Sequence, residues 1–468
     1  MKKLVFTLLS FSFLLISNAQ TKTPTIKASK TLAGFRNGNN SISEWTISPE
    51  TRPDVWDVIV SKSTKTKVAF LTDKDSISFN VEPNKNYDFI VLMGKDSAYT
   101  RISGHPETAI FSDKYKTIYN NKTVIEVPEV YELVNVIIAL TAKGINDSNI
   151  VNHETEYYKD VIKYFEKHKN EKAVLSFDSV LQKEWWKYFY LKMDAYAFGL
   201  NKGEIINNDI YDRVSWDYLN TIQPFTKELE NFYRKTNFSK FYNNHKSFYN
   251  TQIKYYSDSL NISEMQQWLN KNFPSTTYNC FKIIFSPLVG GSQSANKFEN
   301  NGFKEAQVHI NFPYSDESDK NYSPKANQLR NGSIAFTELN HSYINPEAEK
   351  YSKNEDFIIA FKDLKIWEDE NSAAVMGYHN ALACFEEYMN WALVSLYYLD
   401  EAPIDEQEKL ISKIENNLQA NRGFTKFTEF DKELIRLYTS RSNEQTIADL
   451  YPAIIKWCRQ QTEKTTNR

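Results

Sequence analysis

The hydrophobic period changes from two to that of a helix near Pro128, and this change constrains the architecture more than any other feature of the chain. Before it, apolar and polar residues alternate in short runs separated by turn clusters. The runs Asp54–Val60, Lys67–Leu71, Ser76–Val81 and Tyr87–Leu92 read as strands, and Pro83 to Asn86 supplies a turn between the last two. Strands at this spacing predict a small β-sandwich over residues 20–127. After Pro128 the apolar residues recur at helical spacing, which predicts a larger α-rich domain over 128–468. The expected fold class is therefore α+β, with a short β-sheet inside the second domain.

That sheet is expected from Phe281–Phe285 and Ala306–Phe312. The second strand places Ala306, Val308, Ile310 and Phe312 on one face, and Gln307, His309 and Asn311 on the other. Around it, Val130–Ala142, Glu154–Lys167 and Leu181–Leu200 read as helices. The last carries Trp185, Trp186, Tyr188, Phe189 and Tyr190, whose helical spacing with intervening charges reads as core packing rather than a platform for sugar rings. Gly290-Gly291 lacks a following Gly-Lys-Ser/Thr and is read as a turn, not a phosphate loop. From Asn331 the pattern is helical almost to the end, with breaks expected near Pro346, Pro403 and Gly423.

The N-terminus has the composition of a secretory signal peptide. Lys2 and Lys3 precede an apolar stretch, Leu4–Ile16, and Ser17-Asn18-Ala19 offers small residues before a cleavage that leaves Gln20 first. Residues 1–19 are thus expected to be removed from an exported protein, periplasmic or extracellular. No later apolar run reaches the length of a membrane span. The net charge is −3 with acidic and basic residues intermixed, so no basic block follows a phosphate backbone and nucleic acid is excluded as a partner. Cys280, Cys384 and Cys458 are too scattered for a disulfide framework or a Cys-x-x-Cys zinc site.

Chemistry enters at Thr337-Glu338-Leu339-Asn340-His341, one residue away from His-Glu-x-x-His. In that signature two imidazoles at i and i+4 hold Zn²⁺ and the glutamate activates the metal-bound water. On a helix, Phe336, Leu339 and Tyr343 share one side, while Thr337, Glu338, His341 and Asn345 share the other. Alone, such a stripe is an ordinary solvated face. A second segment, His379–Leu396, is apolar nearly all round, yet holds Glu386, Glu387 and Asn390. An ionised carboxylate in a core costs several kcal/mol unless a cation meets it. The partner is a metal, or an arginine or lysine, unless the helix borders a cleft. With metal, Glu338 is the expected general base and His341 and Glu387 the ligands, supplemented by Glu386 or His309. Thr337 is a neutral, short substitute for a histidine, so Zn²⁺ is expected to bind weakly or not at all.

The string from Thr337 to Pro346 resembles the motif helix of secreted bacterial proteins carrying domain of unknown function 4932. Residues 128–135, 286–291 and 385–392 add to the resemblance, which spans roughly 128–400. It implies a zincin-like core in which Glu338, His341 and Glu387 occupy the motif positions. The expected function is an exported metallopeptidase-like protein with a degenerate motif, acting on a peptide or protein. The alternative is a non-catalytic peptide- or glycan-binding protein of the cell envelope.

Overall fold

The computed structural model describes residues 23–38, 43–61, 65–372, 375 and 377–466. The segment read as a signal peptide lies outside them. The chain is mixed α+β and divides into two compact units, the first ending at Glu107 and the second beginning at Thr108.

In the first unit, two four-stranded sheets close on one core. One sheet has the order β1-β7-β8-β4, where β1 is Thr25–Ala28, β4 Asp54–Val60, β7 Asn86–Met93 and β8 Asp96–Pro106. The other runs β3-β2-β5-β6, with β2 Leu32–Asn37, β3 Ser43–Thr46, β5 Thr66–Leu71 and β6 Ser76–Val81. Alternation decides which side chains point inward: Val68 and Phe70 of β5 and Phe89 and Val91 of β7 are fully buried. Phe70 and Phe89 meet edge to face at 5.1 Å and so join the two sheets.

The second unit is built on the sheet β13-β14-β12-β9. Strands β9 (Lys122–Glu126), β12 (Cys280–Phe285) and β14 (Phe303–Ile310) run parallel, and β13 (Ser294–Asn300) is an antiparallel edge strand. Lys122–Glu126 thus pairs with β12, so the boundary expected after residue 127 falls instead at Glu107/Thr108. All of β12 is buried, as expected of an interior strand covered on both faces. A separate hairpin joins β10 (Phe198–Asn201) to β11 (Glu204–Asn207).

The two faces of this sheet carry different chemistry. Phe281 pairs in register with Ala306 and stacks on Tyr343 at 6.2 Å, which puts the helix Pro324–Glu349 on that face. On the opposite face Lys282 donates to Tyr196 and Tyr211 at 3.0 Å each, while Tyr115 and Tyr211 donate to the fully buried Glu305. Four tyrosine rings surround the Lys282 ammonium at 4.7–5.3 Å. This ion pair is fully enclosed by its own partners and reads as architecture.

Two helical expectations change. The segment expected as one helix, Leu181–Leu200, is three pieces: the end of Lys172–Lys183, the helix Lys187–Asp194, and a passage into β10. Tyr188 is buried, but Trp185 and Trp186 are 48% and 44% exposed, so core packing accounts for only part of that cluster. Pro346 lies inside Pro324–Glu349 rather than ending it. Its missing N–H frees the carbonyl of Ser342, and the Tyr278 hydroxyl donates to that oxygen at 2.6 Å.

Candidate functional site

Two antiparallel-packed stretches of chemistry meet where Pro324–Glu349 crosses Ala381–Glu401, the most extensive helix pair of the unit. The first begins with Ser323, whose hydroxyl caps the Ala326 N–H, and the second with Asn380, whose side chain caps Ala383. Their contact brings His341 and Glu387 together: Nε2 of His341 lies 3.9 Å from Oε2 of Glu387. Asn390 lies between them. Its Nδ2 donates to His341 Nε2 at 2.9 Å and to Glu387 Oε2 at 3.3 Å. His341 Nε2 is therefore assigned as the acceptor, and its Nδ1 as the donor to Asn345 Oδ1 at 3.3 Å.

Glu387 is 2% exposed and accepts two further hydrogen bonds, one cationic and one neutral. Trp391 Nε1 and a guanidinium nitrogen of Arg422 each donate to its Oε1 at 2.9 Å. Burial alone would push this carboxyl up. The Arg422 charge, with His341 and the Asn390 and Trp391 donors, outweighs burial and holds it below the usual carboxylate range. Of the partners the sequence left open for this helix, Glu387 takes the arginine.

The other two carboxylates behave oppositely. Glu338 and Glu386 are both half-buried, and neither forms a hydrogen bond or ion pair with a described residue. Burial raises Glu338, against the opposing charges of His341, Lys192 and Arg422. Burial likewise pushes Glu386 up to about 7, with His341 and Lys297 pulling the other way. Lys192 is fully buried, and its ammonium donates to the backbone carbonyls of Ser292 and His309 at 3.0 and 3.1 Å. Burial brings that amine down to about 7.

The remaining expected ligands fall away from this point. Thr337 is 2% exposed and its hydroxyl donates to Ile334 O at 2.8 Å within its own helix. His309 pairs in register with Ile284 and faces Tyr131 and Tyr196 on the sheet face opposite the motif helix. Strand alternation thus removes it as a supplementary ligand. Burial drives its imidazole well below its ordinary range.

The residues present do not fit a catalytic zinc. Such a site needs three protein ligands with free lone pairs and one open position. Here Asn390 engages the His341 lone pair, and Arg422 neutralises Glu387. Among the described residues, no group of three or more histidine, cysteine or acidic side chains is arranged to hold a metal. The three cysteines are free and buried. A depression of about 460 Å³ at the N-terminal end of the motif helix, lined by Tyr255, Asp319, Lys325, Gln328 and Asn331 among others, includes none of Glu338, His341, Glu386 and Glu387.

Sequence reasoning missed Arg422 and Lys192. Lys192 carried a readable signal, a lone lysine among apolar neighbours; Arg422 did not. Compared with protein-family models, curated proteins and solved structures, the chain matches none.

Proposed function

We propose that this chain is an exported, metallopeptidase-like protein that holds an extended polypeptide segment without hydrolysing it. The reading rests on one observation: an edge strand runs beside two half-buried carboxylates that have no hydrogen-bond or ion-pair partner among the described residues. β13 pairs only with β14 among the described strands, so its outer edge presents backbone groups that an extended chain can pair with. By register, Ala295 and Lys297 of β13 share a face with Val308 and Ala306, the face packed by the motif helix. Glu338 and Glu386 are acceptors for a lysine or arginine side chain of the bound segment.

Hydrolysis is disfavoured by the same geometry. Without a metal-bound water, Glu338 has no activated nucleophile to deprotonate, and Arg422 and Asn390 hold the groups that would position one. The resemblance of Thr337–Pro346 to the zincin-like motif helix supports the peptidase-like ancestry of the site, and Thr337 its loss of a ligand.

The test is fluorescence anisotropy with unstructured labelled peptides of differing charge, followed by mass spectrometry of each peptide. Peptides carrying lysine or arginine should bind saturably and be recovered intact. Glu338→Gln with Glu386→Gln should weaken them roughly tenfold or more, about 1.4 kcal/mol or above. Cleavage that disappears in Glu338→Gln would establish a peptidase instead. Absence of binding by every charge class would refute the peptide reading.

A further inference from the structure

We propose that the strip of rings formed by Trp185, Phe189, Trp216 and Tyr190 is a binding surface for an uncharged glycan. It shares no residue with the helix-pair site and is independent of what that site holds. Trp185 and Trp216 are 48% and 51% exposed. Their rings lie 6.1 and 6.2 Å from that of Phe189, and Tyr190 meets Trp216 edge to face at 5.9 Å, so the four make one continuous surface. Neither indole N–H has a hydrogen-bond partner among the described residues. Tryptophan carries a large apolar area that folding ordinarily buries, and an exposed cluster of such rings marks an interaction surface.

Both indoles are rigidly mounted. Trp216 stands on a turn that the fully buried Asp194 staples in place. The Asp194 carboxyl oxygens accept from the backbone N–H groups of Val214 and Ser215 at 2.8 Å each, from that of Thr221 at 2.6 Å, and from the Ser215 hydroxyl at 3.0 Å. Arg213, 1% exposed, donates to Asp217 O at 2.5 Å. Trp185 precedes the helix Lys187–Asp194, and its carbonyl accepts from the N–H of the fully buried Tyr188 at 3.1 Å. The Lys187 ammonium ties the two segments together through Asp217 at 2.7 Å. The fold thus orders the rings before any ligand arrives, which lowers the entropy lost on binding.

The charges of the strip select the occupant. Lys187, the cation among the rings, is already neutralised by Asp217. Lys183 and Glu184, both exposed beside Trp185, offset each other. No surplus positive charge is left for a nucleic acid or an anionic lipid headgroup. A wholly apolar partner would take Asp217, Glu184 and the indole N–H groups out of water with nothing to bond them. A sugar ring meets both demands, because its C–H face stacks on an indole while the hydroxyls round its rim reach those polar groups. The rings of Trp185 and Trp216 are inclined 59° and 47° to that of Phe189. A stepped surface of this kind fits a soluble chain whose sugar units turn relative to one another, not a flat crystalline fibre.

Affinity electrophoresis of the full chain through gels holding starch, hydroxyethyl cellulose or galactomannan tests this, with the Kd taken from the mobilities. At least one of these neutral polysaccharides should retard the natural chain. Trp185→Ala and Trp216→Ala should each raise the Kd roughly tenfold or more, and the two together should abolish retardation. Trp185→Tyr/Trp216→Tyr keeps ring faces on the same mounts and should still be retarded. Ile404→Ser removes an 87% exposed apolar side chain elsewhere and should change nothing. Glu338→Gln/Glu386→Gln should be retarded like the natural chain, which separates this surface from the peptide reading. No retardation in any of the three gels overturns the proposal, as does retardation that survives in Trp185→Ala/Trp216→Ala or is lost equally in Ile404→Ser or in the glutamate variant. Sedimentation with phosphatidylcholine/phosphatidylglycerol vesicles that depends on the two tryptophans would assign the surface to a membrane and overturn it too.

Discussion

Glu386 and Glu387 are adjacent in sequence and opposite in behaviour, because only one of them meets a cation. Glu387 accepts from Arg422, Trp391 and Asn390, whereas Glu386, with no hydrogen-bond or ion-pair partner among the described residues, is pushed up to about 7 by burial. An acid whose folded pKa lies above its unfolded value binds more protons when folded between the two. Stability should therefore fall as pH rises from about 4.5 to 7. The full shift corresponds to roughly 3 kcal/mol, and partial exposure reduces the expected effect to about 1–2 kcal/mol. Urea unfolding at pH 5 and pH 8 should show this slope in the natural chain and lose it in Glu386→Gln. An unchanged slope would place the effect elsewhere. Lys192 has the reverse sign: its folded pKa of about 7 lies below that of a free amine, so its contribution rises with pH above 7. Lys192→Met should flatten that rise.

The carboxylates were legible because helical spacing alone put Glu338 with His341, and because two glutamates in an apolar helix demand an explanation. Arg422 was not legible. It lies 35 residues from Glu387, in a turn whose local sequence carries no sign of where it points.

At the scale of elements, turns and helix interruptions were harder to read than helices. Pro346 looked like a helix end because a proline removes a hydrogen bond, yet a side chain from another segment supplies the missing donor. Tyr278→Phe should leave Ser342 O without that donor and cost about 1–2 kcal/mol in urea unfolding. A neutral result would mean the carbonyl is satisfied by other means. Gly423→Ala should cost about 1–3 kcal/mol, from the positive φ and the contact with Ser372. β13 escaped the sequence reading because its run through Asn296, Lys297 and Glu299 lacks apolar alternation. That polarity is what an edge strand needs.

At the scale of the whole molecule, the switch of period near Pro128 announced a β-rich region followed by a helical one, and the structure is so arranged. The division itself was misplaced, since Lys122–Glu126 alternates like a sandwich strand but joins the second unit's sheet. Strand pairing partners are not encoded in alternation. Two separate cores predict two calorimetric transitions. Phe70→Ala should lower only the smaller one, and Arg422→Ala only the larger. A single transition moved by both substitutions would show the cores to unfold together. Among the described residues no helix is long and apolar enough to cross a membrane.

The central claim is that a guanidinium, not a metal, neutralises this helix pair. A crystal structure of the natural chain grown with excess zinc, with an anomalous map recorded at the zinc edge, tests it most directly. The account predicts Arg422 on Glu387 Oε1, Asn390 between Glu387 and His341, and no anomalous peak beside His341. A peak about 2.0–2.1 Å from His341 Nε2, with Arg422 displaced from Glu387, would contradict it.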